Sequence, residues 1–227
     1  MNVFRQGAPE APRIVIGDDH PLVQAALRSA LAGAFPLATI EECHDIDKVV
    51  AAVRNAPEVV DLVLLDLNMP GSSGLAGLFL MLSYFPTIPV AILSAAEDTA
   101  TIRRAMAGGA SGYIPKSLAL GEMVAAIRAI LAGDLWAPRG CDTDPAIDEQ
   151  DLTMARRFAS LSPQQLRILA MIVQGRLNKQ IAGELGVSEQ TVKIHVSTIF
   201  RKLGVATRTQ AAVLAGSAAG LSMAGRS

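Results

Sequence analysis

The first part of the chain alternates short runs of β-branched and aliphatic residues with longer stretches of helical periodicity. Five such runs are predicted strands, at residues 13–17, 37–41, 61–65, 89–93 and 112–114. Runs that are apolar on both faces are typical of parallel sheets covered by helices on both sides. We therefore predict an α/β fold with a five-stranded, doubly wound parallel sheet, whose last helix covers residues 120–131.

The remainder of the chain shows only helical patterns. A Pro-, Asp- and Thr-rich segment at 133–160 is a predicted linker, with one short helix near 151–158. Ser162, Pro163 and Gln165 form a capping-box pattern that opens the next helix. Together with Asn178 opening a second helix and Ser188 capping a third, the pattern predicts a small all-α domain. Its four helices cover about 163–174, 179–185, 189–203 and 208–216.

The net charge of −1 conceals two halves of opposite sign. Residues 1–160 carry 12 Lys and Arg against 19 Asp and Glu, a net charge of −7, whereas 161–227 carry 8 against 2, a net charge of +6. A basic domain suits nucleic acid, and an acidic one would avoid phosphate or hold a cation. Because solvated basic faces are common, charge alone leaves both interpretations open.

Several classes of protein are disfavoured by composition. An uncharged stretch lies between Asp66 and Glu97, but its prolines and glycines divide it into pieces too short for a membrane helix. Cys43 and Cys141 lie far apart without a C-x-x-C pattern, so neither a zinc cage nor a disulfide framework is expected. The N-terminus lacks the apolar core of a signal peptide. We expect a cytoplasmic protein without a membrane partner.

Polar residues recur where the predicted strands end. Asp18 and Asp19 follow the first strand, Asp66 follows the third, Ser94 ends the fourth and Lys116 follows the fifth. A single Asp at a strand end is more often a cap or turn former, but the shared placement of all five favours one site at the carboxyl edge of the sheet. Three carboxylates gathered there suit Mg²⁺, and the added hydroxyl and ammonium suit phosphoryl transfer.

These motifs resemble those of receiver domains from two-component response regulators. The resemblance covers about residues 12–132 and rests on DDHP at 18–21, LLDLNMPG at 64–71, LSA at 93–95 and GYIPK at 112–116. It implies the flavodoxin-like strand order and a phosphoryl group accepted by Asp66 from a sensor histidine kinase. It also implies that Asp19, Asp66 and the Asn68 backbone carbonyl bind Mg²⁺, with Asp18 acting through water. Ser94 and Lys116 would bind the phosphoryl group. Tyr113 would rotate between the two states, for which plain packing is the alternative.

The helical domain resembles the LuxR-type helix-turn-helix over 161–220, through LNKQIA at 177–182, LGVS at 185–188, TVKIHV at 191–196 and IFRKL at 199–203. Joined to a receiver, this is the NarL/FixJ architecture. The third helix has a predicted buried stripe and a separate polar face that is free to enter a major groove. The stripe comprises Val192, Val196, Ile199 and Leu203; the expected DNA-binding residues are Lys179, Thr191, Lys193, Ile194, Ser197 and Arg201.

Two further surfaces are singled out. In the helix at 75–85, Leu80, Met81 and Tyr84 lie outside the core stripe, and we hypothesise that they contact the DNA-binding domain or another subunit. In the last helix, the resemblance implies a dimer surface, for which simple closure of the core is the alternative. Its residues are Ala211, Ala212, Leu214 and Ala215.

The sequence therefore predicts a transcriptional regulator, not an enzyme, that binds double-stranded DNA as a homodimer after phosphorylation of Asp66. In the resting state we expect the receiver to cover the third helix of the DNA-binding domain. One alternative is a regulator that acts through protein contacts without phosphorylation. Another is a metal-dependent phosphatase with an aspartyl intermediate, which is disfavoured because haloacid-dehalogenase-like enzymes have an Asp where Asn68 stands.

Overall fold

The computed structural model describes residues 9–56, 60–72, 74–140 and 149–217. Its first half is a parallel five-stranded sheet in the order β2-β1-β3-β4-β5, as predicted. The strands are β1 (Arg13–Gly17), β2 (Thr39–Cys43), β3 (Leu62–Leu65), β4 (Val90–Ser94) and β5 (Gly112–Pro115). The helices of this α/β domain are α1 (Pro21–Ala34), α2 (Ile46–Asn55), α3 (Ala76–Tyr84), α4 (Thr99–Ala107) and α5 (Leu120–Leu131).

Helices cover the sheet on both sides, because β1, β3 and β4 are apolar on both faces. α1 and α5 pack together over one face, where Leu27, Leu31, Ile127 and Ile130 are buried in one cluster. α2, α3 and α4 cover the other face with a second, larger cluster. This arrangement places the carboxyl ends of all five strands along one edge.

The second strand begins two residues later than predicted. Phe35 and the three residues after it form a turn closed by an Ala38 N–H bond of 2.9 Å to the Phe35 carbonyl, and Leu37 is 68% exposed there. β2 is an edge strand with half-buried Glu41 and Glu42, so apolar alternation alone was a poor guide to its start.

Among the described residues, five helices form the C-terminal domain. They are α6 (Glu149–Ala159), α7 (Pro163–Val173), α8 (Asn178–Leu185), α9 (Glu189–Leu203) and α10 (Arg208–Ser217). The four predicted helices are confirmed, and the short helix expected within the linker is the longer, packed α6. Residues 141–148 of the predicted linker and 218–220 of the predicted domain lie outside the described residues. Within the described ranges, we find no helix with the length and apolarity needed to cross a bilayer.

Local side-chain chemistry fixes the ends of these helices. The Ser162 Oγ accepts the Gln165 N–H at 3.3 Å, and the Gln165 Oε1 accepts the Ser162 N–H at 3.0 Å, which is the predicted capping box. Ser188 caps α9 through a 3.0 Å bond from the Thr191 N–H. Gly186, at φ 66°, ends α8 in the left-handed conformation and makes the tight turn between α8 and α9.

The two domains pack through α3 and α4. α3 lies against α7 and α6, while α4 lies against α6. Leu80 and Met81 are 3% and 0% exposed, and they lie in a cluster that includes α6 and α7 side chains. This burial is consistent with the hypothesis that they contact the DNA-binding domain. Tyr84 differs, because it is half-buried with the Arg54 guanidinium 5.3 Å from its ring centroid.

The implied dimer surface on α10 is wrong in part. Ala211 and Ala215 are fully buried in the monomer, where α10 packs on α7. Ala212 and Leu214 are half-buried, and Val213 is 59% exposed. Small residues on α10 therefore close the core of the helical domain, which was the alternative interpretation of this pattern.

Candidate functional sites

The backbone carries three acidic residues to the carboxyl edge of the sheet. The Asp66 N–H donates to the Gly17 carbonyl at 2.8 Å, and the Asp18 N–H donates to the Cys43 carbonyl at 3.0 Å. These bonds continue the parallel ladders one residue beyond the strands. Asp18 and Asp66 are consequently buried, at 0% and 2% exposure, whereas Asp19 remains partly exposed at the rim.

Lys116 lies between the two buried carboxylates. Its Nζ is 2.9 Å from the Asp18 Oδ2 and 3.1 Å from the Asp66 Oδ2. A 2.7 Å bond from the Lys116 N–H to the Ser94 carbonyl fixes the start of this side chain. Burial raises the pKa of Asp66 above its usual value, Lys116 opposes that rise and Asp18 adds to it. The pocket thus pairs two buried acids with one ammonium group.

His20 belongs to this site, although its sequence motif predicted no role for it. Its Nδ1 is 2.9 Å from a carboxylate oxygen of both Asp18 and Asp19, and 3.9 Å from the Asp66 Oδ2. Its position directly after an acidic pair, at the N-terminus of α1, was the available signal. Gln24 was also missed; its Nε2 donates to the backbone carbonyls of Asp18 and Cys43 and holds the loop after β1.

Ser94 and Tyr113 form a second group beside the acidic pocket. The Ser94 Oγ accepts the Ala96 N–H at 3.1 Å, and the Tyr113 hydroxyl donates to the Ala96 carbonyl at 2.7 Å. Tyr113 is fully buried, and burial raises its pKa to about 12, against a lowering by its hydrogen bond with Ser94. The aromatic ring therefore lies turned into the protein, where it fixes the β4–α4 connection.

The donor set fits a divalent cation with a preference for oxygen. Ligand atoms of Asp18, Asp19, His20 and Asp66 lie within 4.8 Å of one another. Three carboxylates outweigh the single Lys116 ammonium, so the site has charge to be neutralised, and carboxylate oxygens are preferred by Mg²⁺. The Asn68 backbone N–H bonds to the Asp66 carboxylate, which places Asn68 at the same pocket.

The expected DNA-binding residues lie on the outer face of α9 and at the start of α8. Lys179, Lys193, Ser197 and Arg201 are exposed, as is Ile194 at 59%. The buried stripe of α9 is confirmed for Val192, Ile199 and Leu203, while Val196 is half-buried.

Two of the expected residues already have partners within α9. The Lys193 Nζ is 3.1 Å from the Glu189 Oε1, one helical turn away, and the Thr191 hydroxyl is 2.8 Å from the Ser188 Oγ in the cap. The ion pair between Lys193 and Glu189 is exposed, so Lys193 can leave Glu189 for another partner at little cost in free energy. The Thr191 hydroxyl, in contrast, is held at the N-terminus of α9.

The expectation that the α/β domain covers this helix is wrong for the arrangement seen here. α9 packs most extensively on α6, α7, α8 and α10, and its polar face is open. The domain contact uses α7 and α6 instead, because the apolar surface that needs covering lies on α3 and these two helices.

Comparison with known proteins agrees with both domains. A model of the response regulator receiver domain matches residues 14–128, and a model of bacterial regulatory proteins of the luxR family matches 159–215. The chain is 39% identical over 210 residues to the glycerol metabolism activator of Pseudomonas putida, covering 90% of this chain and 95% of that protein. It is 32% identical to the nitrate/nitrite response regulator NarP of Escherichia coli, covering 91% and 96%.

Solved structures show the same folds. A LuxR family DNA-binding response regulator from Silicibacter pomeroyi matches at a TM-score of 0.50 and 32% identity, over 56% of this chain and 98% of that one. RcsB from Salmonella enterica serovar Typhimurium, bound to promoter DNA in the presence of a phosphomimetic, matches at a TM-score of 0.54 and 22% identity, over 91% and 98%. The chain therefore belongs to the two-component response regulators of the NarL/FixJ type, which join a receiver domain to a LuxR-type helix-turn-helix domain.

Proposed function

We propose that this response regulator is a DNA-binding transcriptional regulator controlled by phosphorylation of Asp66 by a sensor histidine kinase. The observation that carries the proposal is the convergence of Asp18, Asp66 and Lys116 at one sheet edge, with Lys116 within 3.1 Å of both carboxylates. Family membership supports a regulator, and this geometry supports Asp66 as its phosphoacceptor.

The chemistry follows from the charges in the pocket. An Asp66 oxygen forms the bond to phosphorus as the bond from phosphorus to the donor breaks. The Lys116 ammonium, already at the Asp66 Oδ2, is placed to follow the negative charge onto the phosphoryl oxygens. Ser94 would donate its hydroxyl hydrogen to the same group, while its oxygen can still accept the Ala96 N–H.

The carboxylates of Asp19 and Asp66 and the Asn68 carbonyl would hold Mg²⁺, with Asp18 acting through water. A bound Mg²⁺ supplies charge neutralisation at the transferring phosphoryl group. The chain's own contribution is to bury Asp66 beside a fixed ammonium and keep Asp19 at the solvent edge.

The DNA interface is proposed on α9 and the start of α8. Lys193 and Ile194 would lie near base edges, Lys179 near phosphate, and Thr191, Ser197 and Arg201 beside them, all but the half-buried Thr191 exposed in this structure. RcsB, which shares the fold, is described as bound to promoter DNA with a phosphomimetic present. One domain contacts few phosphates, so a homodimer on two half-sites is the expected active form. DNA as the target places the protein in the cytoplasm.

The open face of α9 favours one alternative, in which the regulator binds DNA without phosphorylation and is controlled through protein contacts. The two functions differ in their dependence on a phosphodonor. A DNA-selection assay at stated salt therefore separates them, performed with and without a small-molecule phosphodonor and Mg²⁺, on the natural chain and on Asp66→Asn.

We expect the phosphodonor to increase recovery of specific duplexes by the natural chain and to have no effect on Asp66→Asn. Asp98→Asn, a change of the same kind at the cap of α4, is the matched control and should keep the response. Equal selection under all conditions would contradict phosphorylation control and support the alternative.

A further inference from the structure

The apolar surface of α3 does more than complete the receiver core. α3 consists of apolar, aromatic and small residues on every side, and only Ser83 and the Tyr84 hydroxyl add polarity. Phe79, Leu80 and Met81 are all buried, in a single cluster with Phe158 of α6 and with Leu166 and Leu169 of α7. In an isolated receiver, part of this surface would face water.

An aromatic pair lies at the centre of the contact. The rings of Phe79 and Phe158 stack with centroids 5.2 Å apart and an interplanar angle of 6°. The neighbouring Arg157 donates to the Leu203 carbonyl at 3.0 Å, at the C-terminus of α9. α6 thus contacts the receiver through Phe158 and the DNA-contacting helix α9 through the adjacent Arg157. The position of α9 is therefore tied to the receiver surface.

Complementary charge lies at the edge of this contact. The Arg167 guanidinium of α7 pairs with the Asp47 carboxylate of α2 across the two domains. Both side chains are substantially exposed, so the pair orients the domains more than it stabilises them. The apolar contact therefore provides the stability, because separation would expose a contiguous hydrophobic patch on each domain.

The DNA face is open while the domains are docked. Lys193, Ile194, Ser197 and Arg201 lie on the exposed side of α9, away from the α3 contact on α6 and α7. The polar bonds around Asp66 involve the ends of β1 and β5 and the loop after β3. Phosphorylation can separate the domains only if the docked and undocked states differ in their interaction with the phosphoryl group. The contact of α3 and α4 with α6 and α7 is itself apolar and buried.

We infer that the receiver and the DNA-binding domain act as one docked unit, held by α3 and α4 against α6 and α7, that binds DNA without separating. Phosphorylation then changes DNA affinity by changing how docked units pair, not by uncovering α9. The inference rests on the proposed function for its phosphorylation step, but the docking itself is independent of that step.

The test is energy transfer between dyes on the two domains of the full chain. Cys43→Ala and Cys141→Ser remove the natural thiols, and Ala32→Cys and Thr209→Cys, at exposed positions of α1 and α10, carry the dyes. Transfer is measured before and after beryllofluoride with Mg²⁺, and ¹⁹F NMR reports whether the fluoride is bound. The docked unit predicts unchanged transfer within one chain; a fall on beryllofluoride binding overturns the inference.

Leu80→Glu shows whether α3 holds the domains together. We expect at least a twofold fall in transfer in every state, with DNA affinity without phosphodonor no higher than that of the natural chain. Leu37→Glu, the same change at an exposed leucine, is the matched control and should leave transfer unchanged. Unchanged transfer in folded Leu80→Glu, or a gain of DNA affinity, overturns the inference.

A second variant guards against loss of folding by Leu80→Glu. Arg167→Glu places like charges across the exposed Asp47 pair without touching the core, so we expect a smaller fall in transfer that Asp47→Arg restores. If Arg167→Glu does not lower the energy transfer and adding Asp47→Arg does not change it, the result counts against docking. Absence of a bound fluoride signal counts against the proposed phosphorylation alone, since the Leu80→Glu and Arg167→Glu results still decide the docking.

Discussion

At the scale of single residues, Lys116 supplies the ammonium group of the acidic pocket. Its ammonium lies within 3.1 Å of two buried carboxylates, and its removal leaves both without a counter-charge. Because breaking a buried ion pair from one side costs about 3–5 kcal/mol, Lys116→Met should lower the free energy of unfolding of the receiver by that amount in urea titrations. Excess Mg²⁺ should recover part of the loss.

Lys48 provides the control for this prediction. Its Nζ is 3.2 Å from the Asp45 Oδ2, a similar distance, but the pair is exposed. Lys48→Met should therefore cost less than about 1 kcal/mol. Equal losses for the two variants would show that Lys116 is not a buried counter-ion in solution.

Cys43 gives a prediction for alkaline pH. Burial, with help from Glu41 and Asp45, raises the pKa of its thiol from 9.0 to about 11. Below pH 9 the thiol is protonated in both the folded and unfolded chain, and its contribution to stability is complete. Between pH 9 and about 11 only the unfolded chain ionises, so stability falls, and above that range the contribution is lost.

Comparison with Cys43→Ala isolates this contribution. The natural chain should lose about 2 to 3 kcal/mol more than the variant between the two pKa values, measured by urea unfolding at several pH values. Tyr113 titrates in both proteins and cancels in the difference. Parallel pH profiles would show that the Cys43 thiol is not desolvated.

At the scale of elements, two glycines in the helix-turn-helix should respond oppositely to alanine. Gly204 ends α9 at φ 69°, and an added Cβ would lie 2.8 Å from the Arg157 guanidinium. Gly204→Ala should therefore destabilise the domain by about 1 kcal/mol or more in thermal unfolding. Gly183 lies inside α8, where an added methyl group would have no neighbour within 4 Å, so Gly183→Ala should stabilise by up to about 1 kcal/mol. The opposite order would contradict the left-handed end of α9.

The sequence predicted elements well where one chemical signal dominated. Ser162 with Gln165, and Ser188 with Gly186, set helix ends through local bonds that the structure reproduces. β2 began later than predicted because edge burial and the turn at Leu37 outweighed apolar alternation. The packing of α6 and α10 could not be predicted from the sequence, since it depends on which distant helix each one contacts.

The residues of the candidate site were likewise predicted in part. The acidic residues and Lys116 could be placed because strand ends in a parallel sheet converge by topology. His20 and Gln24 were missed because their contacts depend on loop geometry after β1. The expectation that the receiver covers α9 was wrong, because domain docking is decided by apolar surface on α3, which the sequence marked only as unusual.

At the scale of the whole molecule, the two domains differ sharply in charge. The acidic receiver repels phosphate, and the basic C-terminal part attracts it, so orientation on DNA is set before any base is read. The negative domain docks on α6 and α7, and the α9 residues Lys193, Ser197 and Arg201 remain exposed beside it. The salt dependence of DNA binding should therefore report on the proposed phosphate contacts of α8 and α9.

Lys179 gives the most direct test of the proposed DNA interface, because it is exposed at the start of α8 and is proposed to contact phosphate. Each phosphate neutralised contributes about −0.9 to the slope of log affinity against log salt. If two chains bind together, Lys179→Ala removes two such contacts and should make the slope shallower by about 2, whereas a single bound chain would lose about 1.

The measurement is fluorescence anisotropy over a salt series, on a duplex chosen by the selection assay, with beryllofluoride and Mg²⁺ present. Lys48→Ala, which removes an exposed lysine of the receiver, is the matched control and should keep the original slope. A slope that Lys179→Ala leaves unchanged would remove α8 from the interface. A change of about 2 would establish both the phosphate contact and the paired state in one experiment, since no single chain has two copies of this residue.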